Sequence, residues 1–147
     1  MKFYKNIEQS FFNRLVGVLA KKGSTFKAKK VVVKVFTQLK NELNKPLNLL
    51  LIQAWRRLDV FVECRKVRVR RKFINVPFLV SNRRRVSLAL KWIVNTALSN
   101  KKKISFTKKL YHEFLVLNTK EESEAFKLKN LNNETAKANR ANMHYRW

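Results

Sequence analysis

The sequence contains few of the residues that form covalent or metal-centred sites. It has one cysteine, two histidines, two glycines and two prolines among its 147 residues. One cysteine excludes an internal disulfide framework, and with two histidines it leaves too few soft ligands for a structural zinc site. The sequence also lacks a glycine-rich phosphate loop, a nucleophile elbow, paired carboxylates and a CxxC motif. We therefore predict that the protein is not an enzyme and needs no metal or cofactor.

Acidic residues are scarce as well. Nine Asp and Glu stand against 34 Lys and Arg, which gives a net charge of +25. The segment from Cys64 to His112 contains no acidic residue at all. A compact protein of this charge repels itself, and nucleic acid is the polyanion that best offsets the repulsion. Solubility alone does not explain the charge, because a net charge of about 2 to 8 suffices for a small domain.

Long apolar runs are absent too. Lys or Arg interrupts each apolar stretch before it approaches the roughly 20 residues that span a bilayer. A peripheral membrane protein would present one amphipathic helix, whereas several apolar stripes are predicted here to face each other. The hydrophobic content of 46% is enough for one core, so we expect a single domain over residues 1–147. The N-terminus has neither a signal-peptide nor a transit-peptide pattern, which predicts a protein used where it is made or already processed.

Apolar spacings of three and four residues predict three helices in the first part of the chain. The first helix should end near Lys21, with Gly23 as its C-cap. The second begins after a cap at Ser24 or Thr25, and the third opens with Asn44 as its cap and Pro46 near its first turn.

Alternating residues predict a β-hairpin over about residues 65–80. Val67 and Val69 alternate with arginines, and a second alternating run begins at Ile74. The helical period returns at Ser81 or Asn82. The fold class predicted is therefore mainly α, a bundle of about six helices with one protruding β-hairpin between the third and fourth helices.

Two further helices are predicted after the fourth. The fifth follows Ser105, and a capping box at Thr119 and Glu122 should open the sixth. The apolar period is lost after Leu131, so we expect the basic helix and tail over about residues 122–147 to fray unless a partner orders them.

Three arginines, Arg83 to Arg85, occupy the first turn of the fourth helix. Cations oppose the helix dipole there, because the dipole favours anions at a helix N-terminus. We therefore expect something negative outside the chain to lie at this turn.

Two segments resemble a known family. RRRVSLALKWIVNTA, residues 83–97, and ANRANMHYRW, residues 138–147, are similar to the bacterial-type ribosomal protein seven of the small subunit. The likeness extends over about residues 11–147. The family has a pair of glycines at the hairpin turn where this chain has Arg70 and Arg71, so another turn geometry or a longer loop is expected.

The resemblance implies a structural constituent of the small ribosomal subunit. Such a protein binds small-subunit ribosomal RNA, organises the head beside neighbouring head-domain proteins and turns its hairpin toward messenger RNA and exit-site transfer RNA. The predicted RNA-binding residues are cations of the hairpin, the fourth-helix start, the first loop and the tail: Arg65, Lys66, Arg68, Arg70, Arg71, Lys72, Arg83, Arg84, Arg85, Lys21, Lys22, Lys27, Arg140 and Arg146.

An alternative interpretation is a non-ribosomal, DNA-binding architectural protein, which would explain the charge but not the terminal HYRW. Heavy use of Lys, Asn, Phe, Leu and Val indicates an AT-rich genome. Together with the missing targeting signal and the near absence of the family's basic N-terminal tail, this favours a mitochondrial ribosome. Plastid and bacterial ribosomes are the alternatives.

Overall fold

A computed structural model describes residues 2–20, 22–101, 103–119 and 121–146, with side chains from residue 9 onward. Within these ranges six α-helices surround a core, and one antiparallel hairpin stands between the third and fourth, which confirms the predicted fold class. The elements are α1 Lys2–Leu19, α2 Thr25–Leu43, α3 Leu47–Leu58, β1 Val62–Val69, β2 Lys72–Leu79, α4 Asn82–Ser99, α5 Phe106–Thr119, α6 Glu124–Ala138 and a C-terminal 3₁₀ segment, Arg140–Tyr145.

The core consists of the apolar stripes that the helical period predicts. Leu39 of α2, Ala54 of α3, Leu90 of α4 and Phe114 of α5 are completely buried in one cluster. Each fully buried side chain of leucine or phenylalanine size stabilises the fold by about 1.5 to 3 kcal/mol. Trp55 is half-buried against the same cluster.

α1 ends at Leu19, two residues before Lys21 and so near its predicted end, and Lys21 itself lies outside the described residues. The boundary between α2 and α3 differs from the prediction. Asn44 does not open α3. It ends α2 with a left-handed φ of 46°, a conformation that asparagine tolerates well at a helix C-cap, and Pro46 is the N-cap of α3.

The predicted capping box at Thr119 and Glu122 is wrong. Thr119 is the last residue of α5, and its hydroxyl donates to the carbonyl of Val116 at 3.2 Å. Because Val116 is buried, α5 continues through this turn instead of ending before it. Ser123 caps α6, and its hydroxyl oxygen accepts a hydrogen bond from the Phe126 amide at 3.1 Å.

The hairpin turn is tight and contains two arginines. Val69 pairs with Lys72, so Arg70 and Arg71 alone connect the strands. The loop is not lengthened. Instead, Arg70 adopts a φ of 54°, the left-handed region that favours glycine.

The strained residue in this turn gives a stability prediction. We expect the free energy of unfolding of Arg70→Gly to be about 1 kcal/mol higher than that of Arg71→Gly. Only at position 70 does glycine remove the steric strain of a side chain on a left-handed backbone. Both changes remove one exposed cation and add one glycine, so charge and unfolded-state entropy are matched. Denaturant midpoints measured side by side test this, and equal midpoints would contradict it.

The C-terminal tail packs on the hairpin. The Asn142 side-chain amide donates to the carbonyl of Asn75 at 3.1 Å, and Arg146 Nε donates to the carbonyl of Pro77. Both acceptors belong to β2, so the tail covers part of an otherwise unpaired strand edge. The partner that the predicted frayed tail needs is thus the chain's own hairpin.

Candidate nucleic-acid interface

The hairpin carries its cations in solvent. Its apolar residues Val67 and Ile74 face each other across the strands and are half-buried, and Val76 is buried. The six cations of the arm and turn are all exposed: Arg65, Lys66, Arg68, Arg70, Arg71 and Lys72. With no acidic residue beside them between Cys64 and His112, they form a continuous cationic arm, called the hairpin arm below.

Arg85 is paired within the chain. Its Nε donates to Asp59 Oδ1 at 2.7 Å, and Nη2 donates to the other carboxylate oxygen. The two side chains are only 14% and 15% exposed. The guanidinium also lies 4.1 Å from the ring centroid of Phe61. The expectation of an outside anion is therefore incorrect for Arg85, because Asp59 at the end of α3 supplies the negative charge.

Arg84 is also paired, but it stays more open. Its Nη2 lies 2.8 Å from Glu63 Oε1 and its Nε lies 3.2 Å from Oε2, while 42% of its side chain is exposed against 16% for the glutamate. The hydrogen bond from Arg84 lowers the pKa of Glu63 despite partial burial, which acts in the opposite direction. Arg83 is exposed, and its carbonyl accepts a 2.8 Å bond from Arg14 Nη1. Of the three arginines, Arg83 and Arg84 can still meet an external phosphate.

Asp59 and Glu63 are the functional residues that sequence reasoning missed. They lie on either side of the entry to β1, and their ion pairs join the start of the hairpin to the first turn of α4. Their signal in the sequence was a pair of acids four residues apart just before a segment without acids.

Other kinds of site find no support in the described ranges. Among those residues no cluster of three His, Cys, Asp or Glu side chains could hold a metal ion. No helix there combines the length and the apolar character needed to cross a bilayer. Cys64 is a half-buried free thiol.

Comparison with known proteins places this architecture in a family. Residues 2–140 match the family model described as ribosomal protein S7p/S5e. The chain belongs to this family. The match ends at residue 140, so most of the segment 138–147 lies beyond it. The S7 family is structural and non-enzymatic, which confirms the predicted ribosomal and non-catalytic character.

Several relatives of this S7-family chain are named small ribosomal subunit protein uS7. One from Thermotoga neapolitana is 34% identical over 122 residues, which cover 82% of this chain and 76% of the relative. One from Thermotoga petrophila is 32% identical over 136 residues, covering 91% and 85%. A protein from Marchantia polymorpha, named uS7m, is 28% identical over 143 residues, covering 95% and 61%.

The remaining predicted cations of this S7-family chain are not part of the hairpin arm. Lys22, with a φ of 52°, and Lys27 are exposed around the loop between α1 and α2. Arg140 is exposed at the start of the 3₁₀ segment. Arg146 is exposed, but its guanidinium is used to hold the tail on Pro77.

The lowered pKa of Glu63 predicts an acid-dependent loss of stability. Because the folded pKa lies below the ordinary value of 4.5, the Arg84 pair stabilises the protein above that value and is lost as the pH falls through the folded pKa. We expect that lowering the pH below 5 decreases the melting temperature of Glu63→Gln less than that of the wild type, in thermal melts at several pH values. Glu134 is exposed, so Glu134→Gln is the control, and its melting temperature should change with pH as that of the wild type does.

Proposed function

We propose that the chain is a structural constituent of the small ribosomal subunit and binds small-subunit ribosomal RNA in the head. The proposal is carried by the hairpin arm, six exposed cations on a two-stranded element that the Glu63–Arg84 ion pair joins to α4. Membership of the S7 family and the names of its small-subunit relatives support it.

The arm is suited to phosphates rather than to base edges. Folded RNA is recognised mainly by shape and backbone, and arginine can donate two parallel hydrogen bonds to one phosphate. Arg83 and Arg84 extend the cationic surface from the hairpin to α4, whereas Arg85 positions the hairpin through Asp59. The first-rank contacts we propose are Arg65, Lys66, Arg68, Arg70, Arg71, Lys72, Arg83 and Arg84, with Lys21, Lys22, Lys27 and Arg140 behind them.

We further propose that the tip of the hairpin lines the path of messenger RNA and exit-site transfer RNA. The hydrogen bonds that the described tail residues donate to β2 are at Asn75 and Pro77, and the exposed tip, residues 68–73, extends beyond them. A second nucleic acid can therefore reach the tip beside the ribosomal RNA that its cations bind. A 4-thiouridine-bearing messenger bound to small subunits should cross-link to residues 68–73. Cross-links to α2 without any to the hairpin would overturn this part.

A mitochondrial ribosome is the location that we propose. The residue choice of an AT-rich genome and the likeness to a plant protein named uS7m support it, while bacterial relatives are about equally similar. An antibody against the chain should detect it in small subunits sedimented from purified mitochondria of the source organism. Its detection only in plastid or cytosolic fractions would overturn the proposal.

Competition between RNA and DNA tests the main proposal. The wild type should bind a head-domain fragment of small-subunit ribosomal RNA in preference to duplex DNA of equal length. Arg83→Ala/Arg84→Ala should weaken binding and lower the log-log salt slope by roughly 0.7 to 0.9 for each phosphate that the variant no longer neutralises. Equal competition by DNA would favour a general polyanion binder instead.

A further inference from the structure

Phe73 is a large apolar side chain at the tip of the hairpin arm. It is the second residue of β2, and 71% of it is exposed. Its cross-strand partner is Arg68, so the two side chains lie on the same face of the hairpin. The turn cations Arg70, Arg71 and Lys72 immediately precede it.

Each of the two other highly exposed phenylalanines among the described residues has a cation over its ring. Phe26 is 68% exposed, and the Lys30 ammonium lies 4.6 Å from its ring centroid. Phe61 is 66% exposed, and the Arg85 guanidinium lies 4.1 Å from its centroid. No side chain of the described ranges makes such a contact with the ring of Phe73. Its faces are therefore available to a flat ligand.

The surroundings of this ring indicate which kind of ligand it binds. The described tail residues donate hydrogen bonds to β2 at Asn75 and Pro77, while 71% of Phe73 stays exposed. The ring stands among exposed cations, and no acidic residue lies between Cys64 and His112. An unpaired nucleic-acid base can stack on the ring while the phosphates before and after it in the strand pair with the cations. An apolar protein surface would leave the cations without a partner.

We propose that Phe73 is a stacking platform for an unpaired base of RNA, with Arg68 holding an adjacent phosphate. The proposal rests on the proposed RNA-binding function and adds a base-stacking site at the hairpin tip. Stacking on an aromatic side chain accepts any base, because each base has a π-face, and its strength does not depend on counterion release.

Three substitutions at this position separate stacking from mere apolar contact. Phe73→Ala and Phe73→Leu should each weaken binding to the head-domain RNA fragment about 5- to 150-fold, the range typical of one stacked base, without changing the salt slope. Phe73→Tyr should bind within about twofold of the wild type, because it keeps the aromatic ring. Arg71→Ala is the electrostatic comparison and should lower the slope by roughly 0.7 to 0.9.

Leu79→Ala is the matched control. Leu79 is 73% exposed and belongs to the same strand, so its truncation removes an equally exposed apolar group away from the tip. It should leave RNA affinity unchanged. If Phe73→Leu binds as tightly as the wild type, or Leu79→Ala loses as much as Phe73→Ala, the stacking site is overturned while the RNA-binding function stands. If the wild type does not prefer RNA to duplex DNA, the proposed function is overturned and the stacking site with it.

Discussion

Asp59→Ala is expected to lower the free energy of unfolding by about 1.5 to 3 kcal/mol, the cost of losing charge-assisted hydrogen bonds in a partly buried ion pair. Arg85 would keep its charge in a site where only 14% of its side chain is exposed. Because Asp59 joins α3 to the first turn of α4, the substitution should also loosen the base of the hairpin. Chemical denaturation followed by circular dichroism measures the change.

Two comparisons isolate the unpaired, partly buried charge of Arg85 as the cause. Glu63→Ala removes the other acid of the same region, but it leaves Arg84 42% exposed and should cost less than about 1 kcal/mol. Asp59→Leu/Arg85→Met replaces both charges with apolar groups and should recover much of the stability, since no unpaired charge remains. A decrease below about 1 kcal/mol for Asp59→Ala would show that water reaches Arg85 in solution.

The second large effect concerns RNA affinity. A variant that replaces four cations of the hairpin tip by alanine should weaken binding to head-domain RNA about 10²- to 10³-fold near physiological salt: Arg68→Ala/Arg70→Ala/Arg71→Ala/Lys72→Ala. Its log-log salt slope should fall by roughly 3, because four phosphates are no longer neutralised. Folding should be retained, since all four side chains are exposed. A filter-binding titration at several salt concentrations measures both quantities.

The control keeps the same change of net charge. Lys29→Ala/Lys34→Ala/Lys40→Ala/Lys45→Ala removes four exposed cations from α2 and the loop after it. If binding is localised on the hairpin arm, this variant should lose far less affinity than the arm variant. An equal decrease in the two variants would mean that the protein binds through its overall charge.

Local patterns in the sequence were sufficient for the fold but not for the state of each cation. The stripes containing Leu39 and Leu90, and the alternation around Val67, follow from helical and strand periods that depend only on neighbouring residues. The pairing of Arg85 with Asp59 joins residues 26 positions apart, and no periodic pattern encodes it. The sequence therefore predicted that all three arginines of the first turn of α4 are free to bind an outside anion, whereas in the fold only two of them are accessible.

The packing of the tail on the hairpin could not be predicted from the sequence for a related reason. Asn142 and Arg146 hold the C-terminal segment through hydrogen bonds to backbone carbonyls of β2, and such bonds leave no apolar signature in the sequence. In the sequence, Phe73 is one more member of an alternating strand, and nothing there distinguishes it. Its significance depends on the absence of a covering cation, which only the folded arrangement shows among the described residues.

The most direct test of RNA binding by the hairpin arm is ultraviolet cross-linking of the protein to head-domain small-subunit ribosomal RNA, followed by mass spectrometry of the linked peptides. We predict cross-links concentrated on the hairpin arm and the adjoining Phe73, and at Arg83 and Arg84, with few on the outer face of α2. Cross-links concentrated on α2, or spread evenly over all exposed cations, would contradict the claim that the hairpin arm is the RNA-binding surface.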